Sequence, residues 1–302
     1  MISRPALLAL AATLVVAAGE GRGDELRSTG KGLAEGGPVW IGPRPTAPAR
    51  RVVALAPSVT DVVVALGLGD RLVGVTRLDD NREVANLPRI GGYLDPNPEA
   101  VVGLLPDLVV WVTNGSAAGA VRKIAELSRT SRRPFPILAL QIDGIADVLA
   151  SPRVIADALG EPARGETLAR ELADGVEAVR RRAAGRAPKR VLFVVGREPL
   201  IVAGQRSFAE ELLRVCGARN VVQGEVPWPI YPLEKAVADD PDVVVDAAPQ
   251  EAAEGIRRLA AIPAVRRGAV VRLADDDLIR PGPRMVRGLD ALCRGIHREG
   301  GR

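Results

Sequence analysis

Residues 51–75 read RVVALAPSVTDVVVALGLGDRLVGV. RVVALA is a continuous apolar run, as a parallel strand covered on both faces requires. PSVTDVVVALGLG follows as a helix. Ser58, with Asp61 three residues on, predicts a capping-box-like start, and Gly67 suits a stop. RLVGV then reads as a second strand.

The same grammar continues outward. PEAVVGLL (98–105) is a short helix, DLVVWV (107–112) a strand, GAVRKIAELSRT (119–130) a helix and FPILAL (135–140) a strand. Strand signal then nearly vanishes. ADVLASPRVIADALG (146–160) and GETLARELADGVEAVRRRAAG (165–185) are helical, the second long and rich in Ala, Leu, Glu and Arg. Beyond it the grammar repeats. RVLFVV (190–195) is a strand, and SFAEELLRVCG (207–217) carries Ser207, Glu210 three later and a closing Gly217. NVV (220–222) matches LVG (72–74), LEKAVADD (233–240) is a helix and DVVVDA (242–247) a strand. EGIRRLAAI (254–262) is a helix and AVVRL (269–273) a strand.

An α/β unit used twice predicts an α/β fold of two Rossmann-like lobes, each with a mostly parallel sheet, joined by a long rigid helix. The expected divisions are an N-terminal lobe at 51–144, a helical linker at 145–187 and a C-terminal lobe at 188–302. A helical linker restricts hinge motion more than flexible strands would. A finer repeat supports the duplication. GGYLDPNPEAVVGLLPDLVVW (91–111) and EVPWPIYPLEKAVADDPDVVV (225–245) both set an aromatic ahead of a proline-flanked Glu. Glu99 precedes Pro106 by seven residues, and Glu234 precedes Pro241 by seven.

The chain has 302 residues, enough for two lobes, and is 47% hydrophobic and 26% charged. Its 41 basic and 37 acidic residues leave a net charge of +4, spread as scattered Arg. That is a solvated surface with no nucleic-acid stripe, so no nucleic-acid partner is expected. The N-terminus has one Arg before an apolar stretch at 5–18, followed by small residues. Residues 1–18 read as a secretory signal peptide with cleavage after Ala18. The stretch is too short and Ala-rich for a comfortable membrane span. A lipoprotein would carry Cys just after the small residues. Glu20 follows them here, so export without a lipid anchor is expected. Residues 19–50 read as a flexible leader, with one possible short strand at PVWI (38–41).

Cys216 and Cys293 are the only cysteines. An even pair in an exported chain favours a disulfide, and two buried free thiols are the alternative. With one His, His297, a Cys/His metal cage is excluded.

Ligands of parallel α/β sheets bind beyond the carboxyl ends of the strands, and two facing lobes offer an interlobe cleft. The corresponding loops are 57–58, 76–81, 91–95 and 113–116 in the first half, and 196–199, 227–229, 247–250 and 275–284 in the second. Aromatics are only 3% of the chain, so Tyr93 and Trp228 in these loops carry weight as cleft residues, or else pack on their own lobes. Trp111 lies on a strand and reads as core. Ser58 opens the first loop. Asp275, Asp276, Arg280 and Arg284 form either a polar ligand rim or a solvated loop with internal ion pairs. No catalytic site emerges. LGLGD lacks the third glycine of a dinucleotide fingerprint, and no P-loop or nucleophile elbow is present. The adjacent pairs Asp79-Asp80 and Asp239-Asp240 need not converge.

RVVALAPSVTDVVVALGLGDRLVGVT (51–76) and LPRIGGYLDPNPEAVVGLLPDLVVW (87–111) resemble the first lobe of class III, helical-backbone periplasmic binding proteins. These serve ABC importers of vitamin B12, iron-siderophores and haem. LLRVCGARNVVQGEVPWPIYPLEKAVADDPDVVV (212–245) is similar to the vitamin B12 binders in particular. The likeness runs from Arg51 to the end. It implies that Glu99 and Glu234 dock into arginine pockets on the two membrane subunits of an importer, which answers why the pattern occurs twice. It also implies that Tyr93 and Trp228 contact a corrinoid and that Cys216 pairs with Cys293.

There are departures. B12 binders carry an aromatic-rich loop where this chain has TRLDDN (76–81), so Leu78 stands where a Tyr is expected, and Trp111 is shifted by one position. The haem branch uses a Tyr near the position of Tyr93 as an iron ligand, and the Arg near the last loop suit an anionic siderophore. The resulting expectation is a monomeric periplasmic binding protein with no resident cofactor, whose ligand is a metal chelate. A cobalt corrinoid is favoured over a ferric siderophore or haem. A metal-cofactor enzyme or assembly protein, and a ligand sensor, are alternatives with the same two-lobed plan.

Overall fold

The computed structural model describes residues 32–113, 117–248, 255–273, 277–278 and 280–298. They divide into two units. The first takes in the described residues up to 173 together with Arg280–Pro283, and the second the remainder from 174 onward. The signal peptide expected at 1–18 and the first part of the leader lie outside the described residues.

The first unit runs α1 (Leu33–Gly36), β1 (Val39–Ile41), β2 (Val52–Ala54), α2 (Pro57–Ala65), β3 (Leu72–Gly74), α3 (Pro98–Gly103), β4 (Leu108–Val112), α4 (Ala118–Thr130), β5 (Ile137–Leu140) and α5 (Ile145–Ala158). The sheet order is β1-β5-β4-β2-β3. All neighbours are parallel except β1, which pairs antiparallel with β5. The β2 and β4 strands are buried at every position, which is why they read as unbroken apolar runs. Val53, Leu55, Val109, Ile124 and Ile137 form one core, and Trp111 is buried among them.

Two expectations are corrected here. Residues 33–49 are not a loose leader. Leu33, Ile41 and Ala49 are buried, β1 completes the sheet, and the Asp147 carboxylate accepts from the Ala34 N–H at 2.7 Å. Gly and Pro in that segment punctuate packed structure; they do not signal its absence. Ser58 is not a helix cap. Ala56 holds that position, Pro57 supplies the first-turn residue whose φ is already helical, and Ser58 falls inside the turn.

The boundary between the units falls within α6 (Pro162–Ala183). The second unit continues with β6 (Arg190–Arg197), β7 (Leu200–Val202), α7 (Phe208–Val215), β8 (Arg219–Asn220), α8 (Leu233–Ala238), β9 (Val243–Asp246), α9 (Pro263–Arg266), β10 (Val270–Arg272) and α10 (Met285–Ile296). Its sheet runs β10-β9-β6-β7, with β8 also on β6. Only β7 is antiparallel to its neighbour. The start of α7 is as the sequence predicts: Ser207 accepts from the Glu210 N–H at 3.2 Å. EGIRRLAAI is instead a 3-10 turn over Gly255–Leu259. Pro263 begins the next helix and closes off this one.

Candidate functional site

Tyr93 sits at the tip of a turn built by its neighbours. Gly91 has φ +99°, and a Cβ there would lie 2.6 Å from the Asp95 carbonyl oxygen, so only glycine fits. Asp95 pairs with both terminal nitrogens of Arg77, at 2.9 and 3.1 Å, and the Arg77 N–H donates to the Gly91 carbonyl. The turn is thereby fixed to the TRLDDN segment. That segment is closed in turn by Asp79, whose Oδ2 accepts from the Thr76 N–H at 2.8 Å and from its hydroxyl at 2.6 Å. Tyr93 is half-buried, and burial pushes its phenol up to about 12.

The expected polar rim resolves into internal pairs. Arg280 is buried, donating to Asp80 Oδ1 at 2.9 Å and to the Leu78 carbonyl at 3.2 Å. It clamps the loop after β3 instead of offering a cation to a ligand, because two acceptors of its own chain already meet its guanidinium fork. Arg284 lies 3.7 Å from Asp277, which also pairs with Arg287. Asp275 and Asp276 lie outside the described residues. Ser58 is buried under Gly282, where an added Cβ would stand 3.4 Å from Ser58, so it presents little surface to any ligand. Of the six ligand candidates, Tyr93 and Trp228 remain as accessible aromatics.

Trp228 is carried by an extended segment riveted along β7. Gly204 N–H donates to the Pro227 carbonyl at 2.8 Å, Val202 N–H to Pro229 at 3.2 Å, and Tyr231 N–H to Leu200 at 2.8 Å. Gly204 lets the segment approach, since a Cβ there would overlap the Val226 carbonyl. Period-two alternation puts Val226, Trp228 and Ile230 on one side, while Tyr231 is buried on the other. Val226 and Ile230 are 59% and 70% exposed, so the Trp stands in an open apolar strip. Sequence reading missed these two flanking residues. Their spacing of two on either side of Trp228 was the available signal.

Glu99 and Glu234 occupy the same position in the two units. Each is the second residue of a six-residue helix, α3 or α8, and each is exposed. Asn97 caps α3 by accepting from Ala100 N–H at 2.9 Å. Lys235 lies over the Tyr231 ring at 5.4 Å, and the Tyr231 hydroxyl donates to Asp239, bracing α8. Burial foremost, then the Asp239 bond, raises the Tyr231 phenol above its ordinary value.

The frame beneath both helices is also duplicated. Asp107 accepts from Arg51 N–H at 2.8 Å, and Asp242 from Arg190 N–H at 2.7 Å. The Arg51 guanidinium holds the Leu104 and Leu105 carbonyls at the end of α3, and that of Arg190 holds the Asp239 carbonyl at the end of α8.

Cys216 and Cys293 form a disulfide joining the end of α7 to α10. Among the described residues no group of three or more His, Cys, Asp or Glu could hold a metal ion.

A family model described as periplasmic binding protein matches residues 52–276. The vitamin B12-binding protein of Vibrio cholerae serotype O1 is 28% identical over 251 residues, covering 82% of this chain and 88% of that protein. The crystal structure of periplasmic vitamin B12 binding protein BtuF of Vibrio cholerae superposes with a TM-score of 0.69 at 25% identity, covering 82% of this chain and 97% of that one. The apo periplasmic heme-binding protein RhuT from Roseiflexus sp. RS-1 superposes with a TM-score of 0.69 at 26% identity, covering 82% and 98%.

Proposed function

The chain belongs to the periplasmic binding protein family and is a solute-binding protein of the ABC-importer type; from that premise we propose that its solute is a corrinoid. The observation that carries the reading is the Trp228 strip. An indole flanked by exposed Val226 and Ile230 on a backbone fixed to β7 is a preorganised apolar platform for a large flat ligand. Stacking on it gains roughly 25 cal/mol per Å² of apolar area removed from water. Tyr93 is the accessible aromatic of the first unit. Glu99 and Glu234 dock on a two-fold importer, each entering an arginine pocket as a carboxylate that a guanidinium can grip with two hydrogen bonds. The protein works in the periplasm as a monomer after loss of residues 1–18, and catalyses no reaction. It holds no resident cofactor, the chelate being cargo.

Tyr93 favours a second reading, in which the ligand is haem. A lone phenol on a fixed turn is suited to ferric iron, provided the iron overcomes the raised cost of removing its proton.

Tryptophan fluorescence of the purified protein, titrated with cyanocobalamin, a ferric hydroxamate siderophore and haemin and corrected for absorbance, separates these readings. Saturable quenching by cyanocobalamin alone, abolished by Trp228→Phe, is the expected result. Tight haemin binding that is lost in Tyr93→Phe would replace the corrinoid with haem. No response to cyanocobalamin overturns the proposal.

A further inference from the structure

The second unit carries a basic cavity that neither the aromatic loops nor the docking helices use. Its volume is about 1040 Å³. Arg186, Lys189, Arg267, Arg272, Arg294 and Arg298 line it against one carboxylate, Asp242. That carboxylate is already engaged by the Arg190 N–H at 2.7 Å. Arg267 donates to the Pro241 and Asp242 carbonyls, and Arg294 pairs with Asp290 at 3.0 Å. Among the described residues, Arg186, Lys189, Arg272 and Arg298 find no ion-pair or side-chain hydrogen-bond partner.

The cavity opens at the starting edge of the sheet and follows the edge strand β10 along its length to Arg272. Lys189 precedes β6, Asp242 precedes β9, and Ala269 precedes β10. The Trp228 segment runs beside β7, which pairs with the far end of β6. Trp228 lies level with Ala203, whose N–H bonds the Phe193 carbonyl midway along β6, and on the β7 side of that strand, whereas β9 and β10, which border the cavity, lie on its other side. The wall made by α10 is rigid. Cys293 ties it to Cys216, and the His297 ring bonds the Cys216 carbonyl oxygen at 2.7 Å. The dipole of α10 accounts for cations at its C-terminus, Arg294 and Arg298, but not for Lys189 or Arg272, which come from other elements. Cations converging from separate elements on one concavity raise its positive potential, and guanidinium forks match the oxygens of a phosphate.

We propose that this cavity binds a phosphate group, as a soluble phosphorylated anion or as an anionic lipid headgroup. The inference does not depend on what the aromatic loops bind.

Inorganic pyrophosphate is titrated calorimetrically into the protein at physiological salt, and the protein is co-sedimented with phosphatidylglycerol and with phosphatidylcholine vesicles. Arg272→Gln/Arg298→Gln is compared with Arg129→Gln/Arg133→Gln, which changes the same charge elsewhere. Saturable pyrophosphate binding, weakened about tenfold or more by the first pair and little by the second, supports a soluble ligand. Retention on phosphatidylglycerol but not phosphatidylcholine vesicles, with the same dependence, supports the headgroup. The proposal is overturned if neither probe binds, or if both double variants lose binding equally, which would mark a general charge effect. The far-UV circular dichroism spectrum and urea midpoint of each variant give an independent check that the fold is intact.

Discussion

Leu105 and Asp240 share a backbone conformation that no other non-glycine residue of the described chain adopts, with φ of 49° and 37°. Each directly follows the C-cap of its short helix, α3 or α8, and precedes a proline. Their N–H groups bond equivalent carbonyls, Val102 at 3.0 Å and Val237 at 3.2 Å. Asp tolerates the left-handed region by local hydrogen bonding, whereas Leu incurs a cost of ~1–2 kcal/mol. Leu105 is also largely exposed, so little burial is lost on replacing it. Leu105→Asn is therefore expected to stabilise the protein by about 1 kcal/mol. The readout is a higher urea midpoint at unchanged slope. An unchanged midpoint would show that Leu105 bears no such strain.

Glu99 and Glu234 are matched in helix position and exposure, so they are expected to act as independent halves of one contact. In cells depending on the imported ligand, Glu99→Ala or Glu234→Ala alone lowers uptake, and the double variant abolishes it. Ligand affinity of the purified variants stays at the wild-type value. Unimpaired uptake by the double variant removes the docking role.

Much of this duplication is legible in the sequence because it is written in residue types with narrow conformational uses. Pro98, Pro106 and Pro241 bound the short helices, and the Glu-to-Pro interval is the same in both halves. Buried strands such as β2, β4 and β9 declare themselves as apolar runs. What the sequence hides is pairing at long range. Arg280 and Asp80 are two hundred residues apart, and nothing near Arg280 in the chain signals that its guanidinium is taken up by an internal pair. Likewise β1 lies among Gly and Pro, and its place on the sheet is set by β5, far along the chain. Strand β7 is three residues long and escapes notice until its pairing with β6 and the Trp228 segment is seen.

Arg197 and Asp246 form a pair at the carboxyl ends of β6 and β9, at 2.9 and 3.2 Å, with Asp246 only 1% exposed. Removing one partner strands a buried charge, which is costlier than losing the attraction itself. Arg197→Met is expected to destabilise the second unit by about 3 kcal/mol. Replacing both, as Arg197→Met/Asp246→Leu, recovers most of that loss. Chemical denaturation of the three proteins checks it, and a double variant no more stable than Arg197→Met would contradict the argument.

The disulfide closes a loop with a sequence separation of 77. In the chain-entropy account such a cross-link destabilises the unfolded ensemble by about 4 kcal/mol. Cys216→Ala/Cys293→Ala is expected to show that loss, with reductant having no further effect. Thiol labelling of the unreduced, denatured wild type should find no free thiol, and two labelled cysteines would reject the bond.

The two tyrosines predict a distinctive alkaline titration. Burial raises the Tyr93 phenol from 10.0 to about 12, and Tyr231 is raised as well. Folded protein should therefore show little tyrosinate absorbance at pH values where the urea-unfolded chain already titrates, near 10. The sign for stability follows from proton counting. Below about pH 10 both states keep the proton, and Tyr93 leaves stability unchanged with pH. Above it the unfolded chain loses the proton while folded Tyr93 holds it, so stability falls as pH rises towards about 12. Tyr93→Phe removes its share of that slope, making the urea midpoint less sensitive to pH between about 10 and 12 than in the wild type. A folded-state tyrosinate signal already half complete at the ordinary tyrosine value would show that Tyr93 is open to water, and would weaken the case for it as a fixed aromatic surface.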